Sequence, residues 1–331
     1  MLRLFKLALI AMCLPAAAQA QCTGPSFADT LSPAQQADLD QRAADTAYGT
    51  GLIWQAEKDG TTLIIAGTMH LPDPRHATLR DRLRPALEAA DLLLVEATLQ
   101  DQTNMQLYMA ENPDLMAITD GPTLPEALPP DTWDAIVEAA AARSIPGFMA
   151  AKMQPWFLAM TLAMPPCAVM QMARGEGGLD ALLMQDAASL GLPTAPLEPW
   201  EDMFALLSGG TFEDQIEALQ LALFDPADQN ALIVALTEFY FSEQTALSWH
   251  INSFTQDLID GLDPATFEAQ MTQLEEDLLF ARNANWIPVI EAAATQHDKI
   301  VVAFGAAHLI TDRGVLALLA QRGWHITRQT P

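Results

Sequence analysis

The sequence predicts an α/β fold: a central, mostly parallel sheet with flanking helices and a large helical insertion. Three observations carry that expectation. Leu63-Ile-Ile-Ala-Gly-Thr-Met-His70 and Val301-Val-Ala-Phe-Gly-Ala-Ala-His308 each read as a buried strand, then Gly-x-x-His, then Leu, then a helix-like pattern. Leu63 to Glu96 reads as strand, helix and strand, a βαβ unit whose two strands run parallel and lie adjacent or nearly so. Gly178 to Glu198 repeats the helix-then-strand rhythm and again ends in a carboxylate.

The elements follow in order. Residues 1–20 have the build of an export signal: Arg3 and Lys6, an apolar run from Leu7 to Leu14, and the small-x-small site Ala18-Gln19-Ala20. Residues 21–331 are then expected to form one domain, with the helical insertion at about 100–280. A short helix is expected from Pro33 to about Thr46. Leu52–Ala56 and Thr61–Ala66 read as strands joined by the Asp59-Gly60 turn, a hairpin feeding the first Gly-x-x-His. Arg75–Ala90 is helix-like with Leu79, Leu83 and Leu87 on one face, and Leu92–Val95 is a buried strand ending at Glu96.

From Gln100 to about Met172 the pattern is helical and punctuated by Pro122, Pro125, Pro129, Pro130 and Pro146. Its methionines read as core filler at helical spacing; a methionine box for metal or haem is the sharper alternative. A helix opens at Gly178-Leu179-Asp180 and closes on Gly191, and a short strand from Thr194 to Leu197 ends at Glu198. Trp200–Phe280 is helical, broken near Gly209, Pro226 and the run Gly261-Leu262-Asp263-Pro264. After Arg282-Asn283 come a helix around Trp286–Ala294, a strand Lys299–Phe304, a helix Asp312–Gln321 and a last strand Trp324–Thr327.

Composition narrows the function. Asp and Glu number 42 against 16 Lys and Arg, a net charge of -26, and that field repels nucleic acid and anionic membrane surfaces. No nucleic-acid partner is expected, and no stable membrane anchor once the signal is removed. The richest apolar stretch, Met149–Met170, is interrupted by Lys152, Pro155, Pro165 and Pro166. Of three cysteines, Cys13 lies in the signal; Cys22 and Cys167 remain, to be joined in an oxidising compartment or left as two thiols. The chain is expected in the periplasm or outside the cell.

The chemistry concentrates at strand ends: His70, Glu96, Glu198 and His308. In open α/β sheets ligands bind at the carboxyl ends of the strands. Two imidazoles and a carboxylate suit a divalent transition metal with open positions, and the expected ligands are His70, His308 and Glu96, with Gly67 and Gly305 in the turns around the cofactor. Glu96, Arg282 and Glu198 are the catalytic candidates, Arg282 because its fork binds two oxygens of a substrate carboxylate or oxyanion. The chain has no Gly-x-Ser-x-Gly and no His-Glu-x-x-His, which removes the α/β-hydrolases and the common zincins. His76, His250, His297 and His325 read as surface or structural.

These motifs resemble the TraB/GumN family, which includes the TIKI proteases that act on Wnt proteins. The residues that carry the likeness are Trp54 with Asp59-Gly60, Ala66-Gly-Thr-Met-His-Leu-Pro72, Leu94-Val-Glu96, Gly178-Leu-Asp180, Leu197-Glu198, Arg282-Asn283 and Phe304-Gly-Ala-Ala-His-Leu309, with Gly314 and Gly323 beyond. The resemblance implies an α/β fold of the EreA/ChaN-like/TIKI-like kind and, for its TIKI-like branch, metal-dependent peptide hydrolysis with Mn, Co or Zn. A peptide or protein substrate follows. The wider superfamily also has haem-binding members, so a non-catalytic haem- or metal-binding protein using the same pocket is the alternative. This chain departs from the family in having Pro199 after Leu197-Glu198, and Ile310-Thr311 before Asp312.

Overall fold

The computed structural model describes residues 22–175, 177–258 and 263–330. The expected signal, and Gly261 and Leu262 of the expected break, lie outside the described residues. Six strands form one sheet: β1 (Ile53–Lys58), β2 (Thr61–Thr68), β3 (Leu92–Val95), β4 (Thr194–Pro196), β5 (Lys299–Gly305) and β6 (His325–Arg328), in the order β4-β3-β5-β2-β1-β6. β4, β3, β5 and β2 run parallel, and β1 is antiparallel to both β2 and β6.

The β1–β2 hairpin turns at Asp59 and Gly60, with φ of 50° and 94°. Two successive left-handed residues match the right-handed twist of the strands, which is why Asp-Gly stands there. The βαβ unit is present, but β5 inserts between its two strands. That insertion positions the site. β2 and β5, the two strands that lead into Gly-x-x-His, become direct neighbours with Thr68 opposite Gly305, while Val95 of β3 pairs with Ala303.

The sheet is covered on both faces, so its strands read as unbroken apolar runs rather than alternating ones. The pleat sends Leu92 and Leu94 into a core with Trp54, Ile65, Trp286 and Val302. Leu93 and Val95 face the opposite core, which contains Leu79, Leu83, Leu87 and Leu183. The helical insertion has a core of its own, built from Ile118, Leu124, Ile136, Leu158, Leu162 and Leu219. Not all its methionines are filler: Met149, Met160, Met170 and Met172 stand exposed.

The last helix differs from the sequence expectation, spanning Val315–Gln321 rather than starting at Asp312. Thr311 has a φ of 75°, and its N–H bonds to the Ala47 carbonyl, so the chain bends here and the helix starts only after Gly314. A Cβ at Gly314 would lie 2.1 Å from the Ile310 carbonyl oxygen, so the bend requires glycine. No helix among the described residues is long and apolar enough to cross a membrane.

Cys22 and Cys167 form a disulfide, with Cα atoms 5.4 Å apart and a sequence separation of 145. It ties the first described residue to the insertion. A cross-link over so long a loop removes much unfolded-chain entropy, about 2–5 kcal/mol for a native bridge. Urea unfolding with and without reductant is expected to show a loss in that range, and Cys167→Ser the same loss without reductant.

Candidate active site

His70 follows β2 in a short turn held from three sides. The Tyr240 hydroxyl donates to the Gly67 carbonyl at 3.0 Å. The Leu179 N–H donates to the Met69 carbonyl at 3.0 Å. His76 Nε2 lies 2.9 Å from the Leu71 carbonyl, which can only accept, so this nitrogen carries the proton. His76 is thus structural, as its type of pattern suggested, and it is fully buried beneath the loop that bears His70. Gly178 shows how close the packing is: a Cβ there would lie 1.9 Å from the Met69 carbonyl oxygen. The same approach brings Asp180, the second residue of its helix, within 3.1 Å of His70 Nδ1.

Glu96 stands one residue beyond β3. Its Oε1 accepts the Gly305 N–H at 2.7 Å and its Oε2 accepts Nη2 of Arg282 at 2.7 Å. Glu198, two residues past β4, takes Nε of Arg282 at 2.9 Å on Oε1 and the Trp286 indole N–H at 3.1 Å on Oε2. Nη2 of Arg282 bridges the two carboxylates by also meeting Glu198 Oε1. Nη1 donates to the Leu278 carbonyl at 2.9 Å and lies 3.4 Å from Nε2 of His308. A π-helical turn, Glu276–Phe280, precedes Arg282 and closes with the Ala281 N–H on the Glu276 carbonyl, five residues back. Such turns re-aim the side chains that follow and are frequent at functional sites.

His308 is buried against Trp286, ring centroids 4.3 Å apart. Its Nδ1 lies 2.6 Å from Oδ1 of Asn283, whose Nδ2 donates to the Arg313 carbonyl. An amide oxygen only accepts and a guanidinium only donates, so the ring is the neutral Nδ1–H tautomer with its Nε2 lone pair toward Arg282.

The electrostatics follow from these contacts. Burial and the nearby Arg282 cation hold His308 far below the usual imidazole range, at about 3, although the Glu96 carboxylate pulls the other way. Burial would raise Glu96, but the His308 and His70 imidazoles, the Arg282 guanidinium and the Gly305 N–H prevail and lower it to about 2. The contact with Asp180 does the reverse for His70, raising it to about 9 against the cost of enclosure, with Glu96 adding to the rise. His70 keeps 63% of its side chain open because it borders a cavity rather than the core. Burial opposes the charge on Arg282, and the two carboxylates more than offset it.

The sheet thus brings Glu96, Glu198, Arg282 and His308 into one network, with His70 and Asp180 beside it. All line a cavity of about 750 Å³ at the carboxyl ends of the parallel strands. Two expectations change. Arg282 is not an open fork for a substrate: all five of its N–H groups are directed at Glu96, Glu198, the Leu278 carbonyl and His308. Gly67 is not a cofactor contact either, since a Cβ there would meet Leu309 at 2.5 Å; it lets the two strand ends pack together. Gly305 lines the cavity, but its N–H is taken by Glu96.

A divalent ion shared by His70, His308 and Glu96 does not fit this arrangement. The His308 lone pair faces the Arg282 guanidinium, which also donates to Glu96 Oε2, so a cation already stands between these two expected ligands. Among the described residues no three His, Cys, Asp or Glu side chains group to hold a metal. Asp180, Asn283 and Trp286 belong to the site although they were not singled out as site residues. The pairs Gly178-Leu179-Asp180 and Arg282-Asn283 carried the signal for the first two; Trp286, four residues after Arg282 on one helix face, had none beyond spacing.

An α/β protein with a cavity at its strand ends, lined by two Gly-x-x-His turns and an ion-paired arginine, is the class defined so far. Residues 52–328 match the TraB/PrgY/gumN family, and the chain belongs to it. No curated protein and no solved structure matches the chain significantly.

His308 gives a test of the site's electrostatics. A depressed pKa means that the unfolded chain takes up a proton that the folded chain refuses. Its stabilisation is complete above pH 6.5, and is lost as pH falls from there through about 3. Relative to wild type, His308→Gln is expected to flatten the acid side of the stability–pH curve over that window by at most about one proton of linkage, read by urea unfolding.

Proposed function

We propose that the protein is an exported hydrolase of amide bonds, most simply a peptidase, working in this cavity. The observation that carries the reading is the divergence of two neighbouring groups: Glu96 is held ionised, and His70, backed by Asp180, is held protonated. Environments that push two titratable groups apart mark a base and an acid. Export is supported by the basic and apolar leader of the sequence and by the Cys22–Cys167 disulfide, which persists in an oxidising compartment.

The steps use the chain's own groups. Glu96 has two lone-pair sites left after Gly305 and Arg282, so it can orient a water and take its proton as the oxygen attacks the substrate carbonyl carbon. The His70 imidazolium, with Nδ1 at Asp180, has its Nε2–H left to polarise the carbonyl, and then gives that proton to the nitrogen as the carbon–nitrogen bond breaks. The products are a carboxylic acid and an amine. The proton on Glu96 and the vacancy on His70 are restored through water. Asp180 holds the ring through Nδ1, as the carboxylate of a histidine dyad does. Arg282, tied to Glu96, fixes that carboxylate and keeps it ionised.

The test is a peptide-library digest at several pH values. Wild type is expected to cleave over a broad neutral range and to lose activity as pH rises through about 9, where His70 gives up its proton. Glu96→Gln and His70→Ala are expected to fall by about 10² or more. In Asp180→Asn the alkaline limb should move from about 9 toward the ordinary 6.5. Full activity in His70→Ala would overturn the assignment. Cleavage that a chelator abolishes and Mn or Co restores would overturn the metal-free mechanism.

A further inference from the structure

The cavity is divided by chemistry. Its polar groups gather at the strand ends, whereas its walls carry Met105, Met184, Trp200, Met203, Leu236 and Trp249. Met105 lies on the helix Leu99–Glu111, and Trp200 and Met203 on the helix Trp200–Ser208. These two helices meet edge to face through Tyr108 and Trp200, ring centroids 5.4 Å apart. Beyond the cavity they present Leu99, Leu107, Tyr108 and Leu206 to solvent. Exposed apolar side chains therefore also stand outside the pocket on the helices that form its wall. Methionine and aromatic walls adapt to varied apolar shapes.

Charge narrows the occupant further. Four carboxylates line the cavity, from Glu96, Asp101, Asp180 and Glu198. Arg282 is the one Arg or Lys among its described lining residues, and its donors are already committed. Against these four carboxylates stand Arg282, with its donors committed, and the His70 imidazolium, paired with Asp180, so an anionic ligand would meet net repulsion.

We propose that the substrate is an uncharged, apolar peptide segment, seated with a large aliphatic or aromatic side chain among the methionines and tryptophans of the cavity. This deepens the peptidase reading and rests on the cavity being the substrate site. A cavity of about 750 Å³ holds a few residues, within the usual range of about 300–1,000 Å³ for ligand pockets.

Binding and cleavage can be read separately. Two capped peptide amides serve as probes, acetyl-Ala-Leu-Phe-Ala-amide and acetyl-Ala-Glu-Glu-Ala-amide. Binding is followed by titration calorimetry and by the emission of Trp200 and Trp249, and cleavage by chromatography. The apolar peptide is expected to bind at least tenfold tighter than the acidic one. Met203→Glu should reduce that preference at least tenfold, and Met105→Gln, at a half-exposed position, should reduce it in the same direction with less risk to folding. Equal or tighter binding of the acidic peptide, or an unchanged preference in both variants, would overturn the proposal. Apolar binding without cleavage would sink the hydrolytic reading and leave this one standing. Cleavage without apolar preference would do the opposite.

Discussion

A guanidinium enclosed between two carboxylates is costly to desolvate, and the ends of three strands converge on that of Arg282. Its side chain is 12% exposed, and Glu96 and Glu198 beside it are 20% and 12% exposed. Such a group is tolerable only when every donor is met, and removing one partner typically costs about 3–5 kcal/mol because a buried charge is left alone. The requirement acts on the whole sheet. Glu96 must leave β3, Glu198 must follow β4, and Gly305 must end β5, all at one edge and in one register. A slip of one residue would turn each carboxylate to the opposite face. The ion-paired cluster therefore contributes more to specifying the arrangement of the strand ends than to net stability.

The helix that supplies Arg282 is fitted to the same demand. The π-helical turn before it lets the Leu278 carbonyl accept from Nη1, while Asn283, the next residue, turns to His308. Outside the site, Arg313 clasps Glu276 at the start of the turn with Nη1 and Nη2 at 2.6 and 2.9 Å, and lies 4.3 Å over the Phe280 ring. The Arg313 carbonyl in turn receives Asn283. An exposed ion pair contributes little alone. Here it closes a circuit from the loop after His308 to the helix carrying Arg282, so its worth lies in geometry rather than in energy.

Much of this was legible in the residues. Strand runs, the Asp59-Gly60 turn, the Leu79-Leu83-Leu87 face and the Gly191 cap are local signals, and the local chain settles them. The edge that carries the site was legible too, since a βαβ unit puts the ends of its strands together whatever lies between. The insertion of β5 between β2 and β3 was not, because strand order depends on long-range pairing. The state of Arg282 was not legible for a related reason. Sequence spacing shows that an arginine can reach a site; only the assembled fold shows that two carboxylates, a carbonyl and an imidazole have already taken its donors. The expected ion site turns on that same point. Counting ligating residue types cannot tell a free donor from a committed one.

The two Gly-x-x-His turns show most directly how similar motifs come to different chemistry. Both follow parallel, adjacent strands, and in both the imidazole Nδ1 lies near a side-chain oxygen, at 2.6 Å for His308 and 3.1 Å for His70. For His308 that oxygen belongs to the Asn283 amide, the ring is buried, and an arginine cation faces Nε2. A neutral acceptor offers no return for a buried charge, so the ring stays neutral. For His70 the oxygen belongs to the Asp180 carboxylate, and the ring borders an open cavity. A charged acceptor and access to water favour the imidazolium instead. Partner type, burial and a facing cation together separate a neutral histidine that anchors the network from one held protonated. The sequence repeats the motif, and the residues it meets in space decide which of the two it becomes.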